Sequence, residues 1–190
     1  MKDKVIEIST DLYTFQNKNF DRGVPRWKEL LWLVISALFF INPLSVLSGL
    51  KVFWLRAFGA RIGQGILIKP GVQIKFPWKL TIGDYCWIGE NVWIDNLAEV
   101  RIGDHVCLSQ GAMLLCGNHN YKKSTFDLIV QPIVLEQGVW IGAKAVVCPG
   151  VTCRSHAVLT VGSVAVSDLA AYQIYQGNPA VKIRERRVEV

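Results

Sequence analysis

An aliphatic side chain returns every six residues across about a hundred positions of this 190-residue chain, and very few folds tolerate that period. The anchors are Ile62, Ile68 and Ile74, then Ile82, Ile88 and Ile94, then Ile102, Leu108 and Leu114. After a gap they resume as Leu135, Ile141 and Val147, then Cys153, Leu159 and Ala165. A helix repeats at 3.6 residues and a half-buried strand at 2, so neither sustains a period of six. A short strand followed by a tight turn does. Repeated, it winds a solenoid in which each hexad buries its face only by stacking on its neighbours. Four residues after most anchors stands a small or β-branched residue such as Val72, Cys86, Val92, Ala112, Ala145 or Ser163, expected inside where the coil is narrow. Glycine often follows the anchor directly, as at Gly63, Gly83, Gly89, Gly103 and Gly142, and is expected to ease the turn backbone.

The interruptions say where function lies. Three hexads make one triangular coil, and extra residues enter only between the third hexad of one coil and the first of the next. Two enter between Ile74 and Ile82, two between Ile94 and Ile102, and fifteen between Leu114 and Leu135. All three insertions therefore leave from the same edge, at Lys75–Lys79, Asp95–Glu99 and the loop 116–133. A solenoid that collects its irregularities on one edge builds a site there.

The rest of the chain is organised around this body. Residues 1–60 read as a polar arm and an apolar helix that cap the solenoid at 61–168, and residues 169–190 form a short extension. With 51% hydrophobic residues the chain is globular rather than disordered. Leu30–Leu50 carries no charge, but Asn42-Pro43 divides it and Leu30–Ile41 is only long enough for a core helix. A helix buried in the monomer or the oligomer is the expectation. Trp27, Trp32, Arg26 and Lys28 leave open a helix lying on a membrane surface. An odd cysteine count of five, without a secretory signal, points to reduced thiols in the cytoplasm. The net charge of +6 concentrates in part at Lys182–Arg187, where no aromatic-interleaved basic stripe accompanies it, so nucleic acid is not the expected partner.

His119 stands at the root of the long insertion and is the candidate general base. Asp95 and Asn96 leave the coil at the same edge one layer below and are candidates for binding an acceptor, with Asp127 a third. His105 and His156 occupy the fourth position of ordinary hexads and read as structural. Cys116-Gly117-Asn118-His119 would also suit a cysteine nucleophile or half a zinc site, both weak signals without a second pair. No metal is expected.

The hexads, the insertion point and the ending resemble the hexapeptide-repeat acyltransferases over roughly Phe58–Arg187. The sugar O-acetyltransferases of colanic-acid and exopolysaccharide biosynthesis are the most similar. The strings that carry the resemblance are Phe58-Gly59-Ala60-Arg61-Ile62-Gly63, Trp93-Ile94-Asp95-Asn96-Leu97, Gly117-Asn118-His119-Asn120-Tyr121, Val139-Trp140-Ile141-Gly142-Ala143 and Gly177-Asn178-Pro179-Ala180. The resemblance implies a left-handed parallel β-helix, a homotrimer with active sites between subunits, and acetyl-coenzyme A as co-substrate. It implies His119 as the catalytic base and Trp140, Gly142, Ala143, Val161 and Ser163 along the pantetheine slot. Lys182 and Arg184 then stand near the coenzyme's phosphates. The acceptor would be a sugar or lipid-linked saccharide, with peripheral contact at the inner membrane face as an option. The chain departs from the pattern at Cys153–Val158, which lacks the usual glycine, and at Val161, Val166-Ser167 and Val181. A zinc-dependent hydratase resembling the γ-class carbonic anhydrases needs three converging histidines, whereas His105, His119 and His156 are dispersed. A non-catalytic scaffold on the same repeat is the remaining alternative.

Overall fold

The computed structural model describes residues 9–17 and 20–189. From Arg61 onward the chain is a parallel β-solenoid of triangular section. Its first side stacks Arg61–Ile62, Leu80–Ile82, Val100–Ile102, Ile133–Leu135 and Thr152–Cys153. The second side stacks Leu67–Ile68, Trp87–Ile88, Cys107–Leu108, Trp140–Ile141 and Val158–Leu159. The third stacks Gln73–Ile74, Trp93–Asp95, Met113–Leu115, Val146–Val147 and Val164–Ala165. The anchors pair with anchors in register, as Ile62 with Ile82 and Ile82 with Ile102, and nearly all are buried in one core. The second-side strands continue into an antiparallel hairpin, Gln173–Gly177 and Ala180–Glu185. The basic tail is thus largely an outer strand, and Arg186 is tied back by donating to the carbonyls of Gly138 and His156.

The glycine after each anchor has a different reason from the one expected. Gly63, Gly83, Gly89, Gly103 and Gly142 are not among the residues with positive φ. What excludes a side chain there is the next coil: a Cβ on Gly89 would lie 2.8 Å from Leu108 O and 2.9 Å from Gln110 N. The left-handed turn residue falls three positions after the anchor, as Gly65, Gly71, Tyr85, Asn91, His105, Gly111, Gly138 and Lys144. His105 and His156 stand at such corners, stacked on Tyr85 and Tyr172 with ring centroids 5.4 and 4.7 Å apart.

The open end of the first coil would be three unpaired strand edges. Two helices cover it: α1, Arg26–Ser36, extended by a π-helical turn at Ala37–Ile41, and α2, Ser48–Ala57. The first ends where Asn42-Pro43 stops it. The cap also satisfies the edge. Arg56 donates to Ile62 O on the first side, Lys51 Nζ to the carbonyls of Ile68 and Lys69 on the second, and Trp32 Nε1 to Ile74 O on the third. Lys51 is fully buried, and burial pulls its ammonium pKa down to about 8. Trp32, kept open at first as a membrane-surface residue, is buried as well, against Phe40 and Phe58.

Candidate active site

The long insertion is an antiparallel hairpin, Gly117–His119 against Leu128–Val130, rather than an irregular loop. It springs from the corner between the third and first sides. Gly117 stands at the root, where a Cβ would lie 2.5 Å from Leu97 Cδ1 in the layer below and push that side chain aside. At its end His119 Nδ1 lies 2.8 Å from the carbonyl oxygen of Phe126. A carbonyl only accepts, so the ring carries its proton on Nδ1 and leaves the Nε2 lone pair free. Phe126 has φ 50°, a costly value for an aromatic residue, and its ring stacks parallel on the imidazole at 4.4 Å. One residue therefore fixes both the tautomer and the plane of His119.

The imidazole opens on a cleft of about 390 Å³. Asp95 and Lys75, paired at 2.9 Å, form its floor. The opposite wall is the N-terminal arm, through Phe15, Asn17 and Arg22. The arm is stitched down by Asp11 N to Ser124 O, Trp78 Nε1 to Arg22 O and Lys79 Nζ to Asp21 O. Phe15 lies 5.7 Å from the His119 ring. Asn17, Phe20, Leu97 and Leu128 also border a second, adjacent cavity of about 730 Å³. No periodicity in the sequence announced this wall.

Several expected contacts fall elsewhere. Asp95 lines the same cleft as His119 of its own chain. Asn96 is fully buried and faces inward: its Oδ1 accepts from Phe76 N at 2.9 Å and its Nδ2 donates to Phe76 O at 2.6 Å. It clamps two coils together and, being fully buried, does not line the cleft. Asp127 does not orient the imidazole, which the Phe126 carbonyl holds. Its carboxylate accepts from Thr125 and Lys123, which lower its pKa, and it borders only the larger cavity. Cys116 is buried, and that burial pushes its thiol up to about 11, the reverse of what a nucleophile needs. Among the described residues no group of three or more His, Cys, Asp or Glu side chains could hold a metal ion.

The proposed coenzyme residues gather on the second side and at the corner between the second and third sides. Trp140 faces outward, with Nε1 donating to Ser109 Oγ at 2.9 Å. The N–H groups of Ala143 and Val161, in successive coils, have no hydrogen-bond partner among the described residues. Lys182 and Arg184 lie on the hairpin strand three strand positions beyond Trp140, about 14 Å at the usual strand spacing. That order, unpaired amides first and cations at the far end, fits a pantetheine chain with phosphates at its end. Gly142 and Ser163 do not belong to it. Gly142 is buried with its N–H on Leu159 O and its carbonyl taken by Ala145 N. Ser163 is 1% exposed and accepts from Gly177 N, so it anchors the C-terminal hairpin.

No protein-family model matches the chain. It is 39% identical over 176 residues, 93% of this chain and 97% of the relative, to a protein of Escherichia coli (strain K12) provisionally named colanic acid biosynthesis acetyltransferase WcaF. Its fold is that of a hexapeptide-repeat acetyltransferase of Vibrio cholerae complexed with acetyl-coenzyme A, with TM-score 0.79, 23% identity and coverage of 92% and 97% of the two chains. A galactoside acetyltransferase in complex with coenzyme A aligns with TM-score 0.75, 24% identity and coverage of 85% and 82%.

Proposed function

From the premise that this chain belongs to the hexapeptide-repeat acetyltransferases, of which WcaF is its 39% identical relative, we propose that His119 deprotonates a saccharide hydroxyl held beside Asp95. The chain is an acetyl-coenzyme A-dependent O-acetyltransferase of polysaccharide biosynthesis. The coenzyme supplies the acetyl group as an activated thioester. Its pantetheine lies along the free N–H groups of Ala143 and Val161, with Lys182 and Arg184 toward the phosphates. His119 Nε2 takes the hydroxyl proton as that oxygen attacks the thioester carbonyl. The C–O bond forms, the C–S bond breaks, and the imidazolium returns the proton to the departing sulfur. The observation that carries this reading is the tautomer: the Phe126 carbonyl holds the proton on Nδ1, which leaves Nε2 as the basic nitrogen of a ring that lines the cleft.

The working unit is a homotrimer. His119 leaves the prism at one corner, whereas Trp140, Ala143 and Val161 lie across the third side at another, up to about 20 Å away at extended-chain reach for one hexad. A base and a thioester so separated in one chain meet when a neighbour's corner is brought alongside. Two sides also present apolar outer columns, Leu67–Trp87–Cys107–Trp140 and Trp93–Met113–Val146, while the first side shows Arg61, Thr81 and Arg101. The enzyme acts in the cytoplasm at the inner membrane face, on a saccharide precursor. Subunit mixing tests the shared site. Inactive His119→Ala and inactive Val161→Trp subunits, unfolded and refolded together, regain thiol release from acetyl-coenzyme A. Mixtures as inactive as their parents contradict it.

A further inference from the structure

The helical cap has no polar outer face. At 100° per residue, Trp27, Leu30, Leu31, Val34 and Leu38 share an exposed stripe about 100° wide, while Trp32 and Ile35 point into the core. The turn that follows projects Leu44, Val46 and Leu47, with Leu44 85% exposed. A continuous apolar surface of this kind marks an interaction site. It lies at the end of the prism, away from the apolar outer columns, so side-by-side packing of subunits does not cover it.

Charge identifies the occupant. Apart from the buried Lys51, residues 25–70 contain five cations, Arg26, Lys28, Arg56, Arg61 and Lys69, against the single acid Glu29, which Arg22 already pairs at 2.6 Å. Trp27 stands among the first of these cations at the N-terminal end of the stripe, where Lys28 lies close to Gly59, two residues before the exposed Arg61, and Arg56 and Lys69 are exposed on the second helix and the first coil. An apolar face with cations around it and a tryptophan at its margin matches a bilayer whose surface carries anionic headgroups. No helix among the described residues is long and apolar enough to cross a membrane, which leaves insertion to the depth of the headgroups.

We infer that the cap, through the Trp27–Leu38 stripe and the Leu44–Leu47 turn, is a docking surface for an anionic lipid bilayer. The inference rests on the trimeric, membrane-face reading above and specifies its contact. Prisms packed side by side about a threefold axis along their length present three caps in one direction, and the three contacts reinforce one another. The cleft lies near that surface, because Asp95 is in the second coil and His119 leaves from the third, about 10 Å from the first at the usual strand spacing. Such a position suits an acceptor whose saccharide projects from a membrane lipid.

Vesicle sedimentation of the full chain tests this without reference to catalysis. The expected result is that wild type pellets with phosphatidylcholine–phosphatidylglycerol vesicles and much less with phosphatidylcholine alone. Leu44→Glu/Leu47→Glu should lower that partition roughly tenfold or more, the scale of two exposed leucines losing their burial. Its mass in solution and its thiol release with a soluble acceptor should stay those of wild type. Trp27→Ser/Leu31→Glu repeats the test at the other end of the stripe, should the first pair not fold. The proposal is overturned if wild type remains in the supernatant with anionic vesicles, or if a folded variant pellets as wild type does. It is equally overturned if the substitutions instead halve the solution mass, which would show that a second copy covers the face. In each of these cases thiol release decides the acetyltransferase reading separately.

Discussion

Replacing Asn96 separates a structural clamp from an acceptor ligand. The two side-chain hydrogen bonds, 2.9 Å from Phe76 N and 2.6 Å to Phe76 O, are buried between the first and second coils. In Asn96→Ala the Phe76 N–H loses its partner where water does not reach it, while the Phe76 carbonyl keeps only the Lys79 N–H. The unpaired N–H costs about 1–3 kcal/mol and the second lost bond about 1 kcal/mol, so the expected loss is about 2–4 kcal/mol. With a urea slope of about 2 kcal/mol/M, the midpoint should fall by about 1–2 M. Asn96→Asp should be worse near neutral pH, because one carboxylate oxygen then faces the Phe76 carbonyl. Burial raises the folded pKa of that new acid, so the variant is less impaired at pH 5 than at pH 8. The assay is urea unfolding followed by tryptophan emission at one protein concentration, which holds any subunit association constant. An Asn96→Ala protein with an unchanged midpoint and a raised acceptor KM would refute the clamp and restore Asn96 to the acceptor site.

Other perturbations address the solenoid and the cysteine. Gly89→Ala puts a Cβ 2.8–2.9 Å from the backbone of the next coil and should cost about 2–4 kcal/mol, whereas Gly162→Ala, with φ +66° and open space around it, should cost only about 1–2 kcal/mol, both read by thermal unfolding. Equal losses would mean that contact with the next coil is not what selects glycine after the anchors. Lys51 has a folded pKa near 8, below its ordinary value, so its charge opposes folding at pH 7 and ceases to do so as pH rises through 8 toward 10.5. Between pH 7 and 9.5, wild type should gain on the order of 1–2 kcal/mol relative to Lys51→Met, measured by denaturant unfolding at each pH. Cys116→Ala should keep acetyl transfer within about threefold of wild type, because a buried thiol with a pKa near 11 is not ionised at neutral pH. A loss comparable to that of His119→Ala would return the cysteine to the mechanism.

The period of six was sufficient to locate the core, the three sides and the corner that carries the site, because each anchor's burial depends only on spacing. It misassigned the glycine that follows each anchor, because close contact between coils and a left-handed turn both favour glycine and lie two residues apart. Asn96 and Ser163 were misread because a polar residue at an edge is written the same way whether it faces a ligand or a neighbouring backbone. The Phe126 carbonyl was invisible for a deeper reason: a main-chain acceptor has no sequence signature, and the left-handed Phe126 is fixed by the hairpin around it. The arm of Phe15, Asn17 and Arg22 has no periodicity, so nothing local foretold that it walls the cleft. The hand of the solenoid came from the family resemblance alone, since spacing is the same in either mirror image.

The base at the centre of this account is tested most directly by thiol release from acetyl-coenzyme A across a panel of saccharide acceptors, with wild type beside His119→Ala. The variant should keep the wild-type melting temperature and oligomer mass while kcat falls at least about a hundredfold on every accepted sugar. A folded His119→Ala enzyme that releases thiol at the wild-type rate would contradict it.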